Sequence, residues 1–288
     1  YSLTPSQQRA VDDIVTDIAK PQRMLRLLQG DVGSGKTVVA LMAAAAVVEA
    51  GRQAALMAPT EILARQHFNT IAPLAEAAQL RVAILTGRDK GKERDDILRR
   101  LSTGELDLLI GTHALFQDEV VFHDLALAVV DEQHRFGVHQ RLALAQKGNE
   151  QGQYPHQLIM TATPIPRTLA MAAYADLDCS VIDELPPGRR PVETVVVPEN
   201  RRDQVVQRIR AACRLGQQAY WVCTLIEESE VLQCQAAENT ATLLTEALPE
   251  LRVGLLHGRM KGAEKEKTMT AFKAGALDLL VATTVIEV

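Results

Sequence analysis

A chain of 288 residues has room for two domains at about 150 residues each. Hydrophobic residues make up 47% and charged residues 23%, close to the globular average, which excludes a disordered or collagen-like chain. The net charge of −5, mildly acidic in both halves, and only one Trp, four Tyr and five Phe exclude a basic arm and an extended base-stacking platform, so any nucleic-acid contact must rest on local patches.

In chain order, short apolar runs alternate with helical patterns. Strands are predicted at 24–29, 53–58, 81–85, 106–110, 125–130 and 157–160, with helices at 37–50, 61–78 and 93–101 between them. Most of the runs are continuous rather than alternating, as expected of a parallel sheet buried on both faces. The Ala-rich stretch 38–48 is too short to cross a membrane. Glu184-Leu-Pro-Pro-Gly-Arg-Arg-Pro191 reads as an extended linker. Beyond it, strands are predicted at 193–197, 219–223, 252–256 and 277–282, and helices at 201–214, 240–248 and 263–273. No short-period repeat is visible. The expected organisation is α/β throughout: a first lobe over 1–186, a linker at 187–191, and a second lobe over 192–288 that stops on a strand. The four cysteines show no CxxC spacing and read as free thiols in a reducing compartment.

Gly30-Asp-Val-Gly-Ser-Gly-Lys-Thr37 fits G-x-x-x-x-G-K-[ST], after an apolar strand and opening a helix. Gly30, Gly33 and Gly35 let the backbone curl so that its N–H groups, with those of Asp31, Val32 and Ser34, face one concavity. The helix N-terminus adds its dipole, and both favour phosphate. Lys36 would reach the β- and γ-phosphates of ATP, and the Thr37 hydroxyl would ligate Mg²⁺. The strand 125–130 runs into Asp131-Glu132, placing two acids at the carboxyl edge of the sheet, where ligands of open α/β folds bind. Asp131 would hold Mg²⁺ and Glu132 would polarise the attacking water.

Further motifs carry a family resemblance. Asp131-Glu-Gln-His134 resembles the DExH box of superfamily 2 helicases, here a DEQH box. Thr161-Ala-Thr-Pro164 resembles motif III, Ala58-Pro-Thr-Glu-Ile-Leu-Ala64 motif Ia, and Gly111-Thr-His-Ala114 motif Ib. Asp131-Glu-Gln-His-Arg-Phe-Gly-Val138 with Thr161-Ala-Thr-Pro-Ile-Pro-Arg-Thr168 narrows this to the RecG and Mfd branch. Glu184-Leu-Pro-Pro-Gly-Arg189, Tyr220-Trp-Val-Cys-Thr-Leu-Ile-Glu-Glu-Ser229 and His257-Gly-Arg-Met260 resemble the RecG family of branched-DNA helicases.

The resemblance implies tandem RecA-like lobes of the P-loop NTPase fold, the second truncated, with ATP and Mg²⁺ between them. It implies that Gln7 reads the adenine. Gln133, His134, Thr161, Ala162 and Thr163 would couple the γ-phosphate to lobe movement, although Thr-Ala-Thr at a strand end also reads as a capped turn. It implies a DNA track of Pro59, Thr60, Gly111, Thr112 and His113 in the first lobe, and Thr224, His257, Gly258, Thr283 and Thr284 in the second, contacting phosphates rather than bases. Singly, His113 and His257 read as hydrogen-bonded structural histidines. The basic residues Arg88, Lys90, Lys92, Arg94, Arg99 and Arg100, and Lys261, Lys265, Lys267 and Lys273, have acids interleaved and read by composition as solvated faces. The implied protein is a bacterial, cytoplasmic, nucleoid-associated monomer that acts on replication forks and Holliday junctions. The family's wedge domain and arginine-bearing motif VI fall outside these residues. Residues 1–288 alone are therefore expected to bind nucleotide but hydrolyse it slowly or not at all. An Mfd-type translocase, a non-catalytic nucleotide-binding module and a P-loop kinase or transporter ATPase are the rival readings.

Overall fold

The computed structural model describes residues 2–132, 154–163, 177–184, 192–223 and 230–283. The chain divides into two compact units, Tyr1–Arg190 and Pro191–Val288. The first opens with α1 (Pro5–Ile18), whose start is written in its sequence: Thr4 and Gln7 form a reciprocal capping box and Pro5 occupies the first turn. Then follow β1 (Leu25–Gly30), α2 (Lys36–Glu49), β2 (Gln53–Met57), α3 (Glu61–Ala77), β3 (Val82–Leu85), α4 (Lys92–Ser102), β4 (Leu108–Gly111), β5 (Leu125–Asp131), β6 (His156–Thr161) and β7 (Asp178–Ile182).

The seven strands form one sheet in the order β3-β4-β2-β5-β6-β1-β7, and every pair is parallel. Alternate residues of each central strand serve opposite cores. On one face Ala54, Leu56, Leu108, Ile110, Leu127 and Val129 pack with α1, α2 and α3. On the other, Ala55, Met57, Leu109, Ala128 and Val130 pack with Leu101, Leu115 and Phe122. Both faces are covered, which is why these strands read as unbroken apolar runs. α2 is nearly all apolar because it is sandwiched, burying Val39, Ala40, Leu41, Ala43, Ala44 and Val47.

The second unit contains α5 (Arg202–Arg214), β8 (Ala219–Val222), α6 (Glu230–Ala247), β9 (Val253–Leu256), α7 (Gly262–Lys273) and β10 (Leu279–Ala282). Its three strands are parallel in the order β8-β10-β9. Leu279 and Val281 pack with Val206, Leu244 and Leu248 on one face. Leu280 and Ala282 pack with Leu256 and Phe272 on the other. Both units are thus α/β with parallel central sheets.

A device recurs in the two units. Arg81, entering β3, donates its backbone N–H and guanidinium to Asp107, entering β4, and also reaches the Gly104 carbonyl at 2.9 Å. Arg252, entering β9, does the same to Asp278, entering β10, and reaches the Gly275 carbonyl at 3.0 Å. The sequences match around both: Arg81-Val-Ala-Ile-Leu-Thr-Gly87 beside Arg252-Val-Gly-Leu-Leu-His-Gly258, and Gly104-Glu-Leu-Asp-Leu-Leu-Ile-Gly-Thr112 beside Gly275-Ala-Leu-Asp-Leu-Leu-Val-Ala-Thr283. This repeat has no short period, because its copies lie a lobe apart in sequence.

Other expectations need correction. The run 193–197 is in neither sheet; Val195 and Val196 are 55% and 94% exposed. Its β-branched composition reads as a buried strand, but no strand pairs with it among the described residues. α6 starts at Glu230 rather than 240. α1 and β7 stand where no element is expected.

Candidate functional site

The phosphate-binding pattern lies between β1 and α2. Gly33 and Gly35 have φ of 80° and 90°, the left-handed region that favours glycine. At Gly30 a Cβ would stand 2.6 Å from Ser34 Oγ. Gly35 is the N-cap of α2, so the loop delivers Lys36 to the helix N-terminus. The Lys36 ammonium folds back on the loop, donating to the carbonyls of Gly30 at 2.6 Å and Asp31 at 2.9 Å. Burial pulls its pKa below the ordinary lysine range, and Asp131, Glu132 and Asp31 oppose that shift. Ser34 Oγ is buried without a hydrogen-bond partner among the described residues. The loop has an ammonium on neutral carbonyls and an orphan hydroxyl, so its donors fit a phosphate group.

Gln7 sits against this loop. Its Nε2 donates to the Ser34 carbonyl at 2.7 Å, and its Oε1 accepts from Thr4 N–H at 3.0 Å. The side chain expected at the adenine thus braces the phosphate loop and caps α1.

β1, β5 and β6 end together on the carboxyl edge of the sheet. Glu132, one residue past β5, has φ of 48°, a conformation costly for a side-chain-bearing residue. Its carboxylate accepts the Thr161 hydroxyl at 3.2 Å and the Ala162 N–H at 3.0 Å. Thr161 Oγ1 in turn accepts from Thr163 N–H at 3.1 Å, and the two threonine hydroxyls lie 2.9 Å apart. The acid pair and the Thr-Ala-Thr segment therefore form one hydrogen-bonded cluster. Gln133 and His134 lie outside the described residues.

Thr37 and Asp131, the residues expected at Mg²⁺, are joined by a third. His67 of α3 places Nδ1 3.3 Å from Thr37 Oγ1 and Nε2 2.7 Å from Asp131 Oδ2. A hydroxyl and a carboxylate offer the hard oxygen donors that suit Mg²⁺. The sequence reading misses His67. It falls in helical register with buried Ala64, Ile71 and Ala75, a pattern that reads as a core histidine.

The described residues of the proposed DNA track lie at carboxyl edges. Met57 pairs in register with Gly111, so Pro59 and Thr60 lie beside Thr112 and His113. Thr60 caps α3, accepting Leu63 N–H at 3.3 Å. Gly111 has a packing reason of its own: a Cβ there would stand 2.3 Å from the Leu85 carbonyl oxygen. His113 is exposed, while Thr112 is buried. Arg65 and Arg88 both pair with Glu61 at 3.0 Å. Arg99 pairs with Asp96 and Glu105 on an exposed surface, whereas the Arg94 side chain is largely buried and pairs with Gln117 and Glu119.

In the second unit, His257 and Thr283 follow β9 and β10. Thr283 N–H donates to the Leu256 carbonyl at 3.2 Å, and both side chains are buried. His257 Nε2 lies 3.5 Å from Glu238, and Nδ1 has no partner among the described residues. The Gly258 carbonyl accepts Lys265 Nζ at 2.6 Å. Thr224 and Thr284 lie outside the described residues. None of the four cysteines forms a disulfide. No helix among the described residues is long and apolar enough to cross a membrane.

Residues 4–172 match the family model for DEAD/DEAH box helicases, and residues 198–288 that for the helicase conserved C-terminal domain. ATP-dependent DNA helicase RecG of Escherichia coli (strain K12) is 59% identical over all of this chain, and RecG of Bacillus subtilis (strain 168) 47%. The chain spans 42% of the length of each of these relatives. A solved structure of RecG bound to a three-way DNA junction matches all of the chain with a TM-score of 0.81 at 40% identity, over 37% of its own length. A structure of Mss116p bound to single-stranded RNA and AMP-PNP, 16% identical, matches 98% of the chain and 60% of its own with a TM-score of 0.69, a likeness of fold alone. The matches run through both units of parallel α/β structure, which are the tandem RecA-like lobes of this fold, and the chain belongs to the DEAD/DEAH box helicase family.

Proposed function

We propose that this chain is the motor core of an ATP-dependent DNA helicase that remodels branched DNA, reversing stalled forks and migrating Holliday junctions as a monomer in the bacterial cytoplasm. The observation that carries the reading is the connection from the phosphate loop through the acid pair to the Thr-Ala-Thr segment. Lys36 gives up two neutral carbonyls and takes phosphate oxygens, a stronger charge-assisted pairing. The loop amides and the α2 N-terminus hold the same phosphates. Thr37 and Asp131 would hold Mg²⁺, which when bound supplies charge neutralisation along the phosphates.

Glu132 orients the attacking water. Its carboxylate already accepts from Thr161 and Ala162, so any change in its partners during hydrolysis is felt at 161–163 and passed to the lobes as movement. Gln133 and His134 would join this relay, and Gln7 would add the adenine contact while bracing the loop. Pro59, Thr60, Gly111, Thr112 and His113, with Thr224, His257, Gly258, Thr283 and Thr284, would grip DNA phosphates in turn. Hydroxyls and backbone N–H groups at strand ends suit a motor that must step over any sequence. The names of the relatives support a DNA helicase, and the RecG structure bound to a three-way DNA junction supports branched DNA as the substrate.

The test is fork regression and ATP turnover by the full-length protein. Lys36→Ala is expected to abolish both. Glu132→Gln is expected to keep nucleotide binding and lower kcat by about 10²–10⁴. Fork reversal by Lys36→Ala at the wild-type rate would overturn the reading.

A further inference from the structure

His67 touches both residues assigned to magnesium, yet neither the phosphate-loop motif nor the acid pair accounts for it. Its ring is 11% exposed and bridges α2, α3 and β5, with contacts of 3.3 Å to Thr37 Oγ1 and 2.7 Å to Asp131 Oδ2. One neutral tautomer satisfies both. With its proton on Nε2, the ring donates to the carboxylate, and Nδ1 accepts the Thr37 hydroxyl.

This arrangement has a consequence for a cation. A threonine hydroxyl that ligates a metal through a lone pair still carries its proton, and donating it to Nδ1 keeps that proton pointed away from the metal. The bond to Asp131 Oδ2 fixes the carboxylate rotamer. It leaves Oδ1, which accepts no hydrogen bond among the described residues, for the metal's water shell. Two side chains that could otherwise rotate are locked by one ring, the role outer-shell partners play at metal sites.

We propose that His67 is the positioning residue of the magnesium site, fixing the Thr37 hydroxyl and the Asp131 carboxylate in the orientation that receives the cation with nucleotide. This rests on the nucleotide-site reading above and extends it to a residue outside the motifs.

The experiment measures binding of a fluorescent ADP to the protein as Mg²⁺ is titrated, and again in EDTA. His67→Ala is expected to raise the Mg²⁺ concentration at half-effect about 10–100-fold, with affinity in EDTA changed less than about threefold. The amide variants separate the two contacts. His67→Asn keeps an acceptor toward Thr37 and His67→Gln keeps a donor toward Asp131, and each is expected to recover part of the loss. Both also serve if His67→Ala fails to fold, which circular dichroism reports. An unchanged Mg²⁺ midpoint in the variants overturns the proposal. So does a lower midpoint, which would mean that the ring competes with the cation. So does an equal loss with and without Mg²⁺, which would mean that His67 only packs. A wild-type protein that binds no nucleotide would overturn the nucleotide-site reading itself, and this proposal with it.

Discussion

Gly35 shows how tightly the phosphate loop is specified. Its φ is 90°, and a Cβ would stand 2.3 Å from Gln7 Nε2. Gly35→Ala therefore forces an L-residue into the left-handed region, at about 1–2 kcal/mol, and displaces Gln7 from the Ser34 carbonyl, at about 0.5–1.5 kcal/mol. Calorimetry is expected to show a Tm lower by about 3–14 °C, at about 2–4 °C per kcal/mol for a domain of this size, with nucleotide binding lost as well; an unchanged Tm would mean that the loop tolerates other dihedrals. Lys36, Thr37, Asp131 and Glu132 were legible because the order of residues along one loop or one strand end fixes their placement. His67 was not, since its partners are distant in sequence and only the packing of α3 beside α2 and over the sheet brings them within reach. The left-handed backbone at Glu132 was equally hidden, because the partners of its carboxylate, Thr161 and Ala162, are also distant in sequence.

At the scale of elements, the paired clamps Arg81–Asp107 and Arg252–Asp278 set the entry of two neighbouring strands in each unit. Asp278 has its pKa lowered to about 2, first by hydrogen bonds from the Arg252 side chain and backbone. At Asp107 burial pulls upward, but hydrogen bonds from Arg81 outweigh it and the net shift is also downward. A carboxylate whose folded pKa is depressed adds stability that is full above its unfolded pKa and fades as pH falls through the folded value. Stability of the second unit should therefore drop between about pH 4 and pH 2, and Asp278→Asn should flatten that slope in acid-unfolding curves. A slope unchanged in Asp278→Asn would assign the acid sensitivity to other carboxylates. Most elements were readable from period and punctuation, but 193–197 was not. A strand needs a partner as well as a composition, and the partner is a tertiary fact.

At the scale of the whole molecule, the net charge of −5 leaves the DNA binding proposed above to a few local contacts at sheet edges. Junctions of one shape but unrelated sequence should then bind the full-length protein within about threefold of each other, since phosphate contacts carry no sequence information, and affinity should fall with salt. Fluorescence anisotropy checks both, and a strong preference for one sequence at fixed shape would sink the phosphate-track reading. The sequence by itself determined the α/β class, the phosphate loop, the acid pair and the motifs of the helicase family, because each is written in local spacing or in a run of adjacent residues. Only the tertiary structure decided the strand order, the burial of Thr112 and Thr283, the bracing of the loop by Gln7 and the bridge from Thr37 through His67 to Asp131. Those depend on which helix faces which strand, and contacts between distant residues are set by packing rather than by any local pattern.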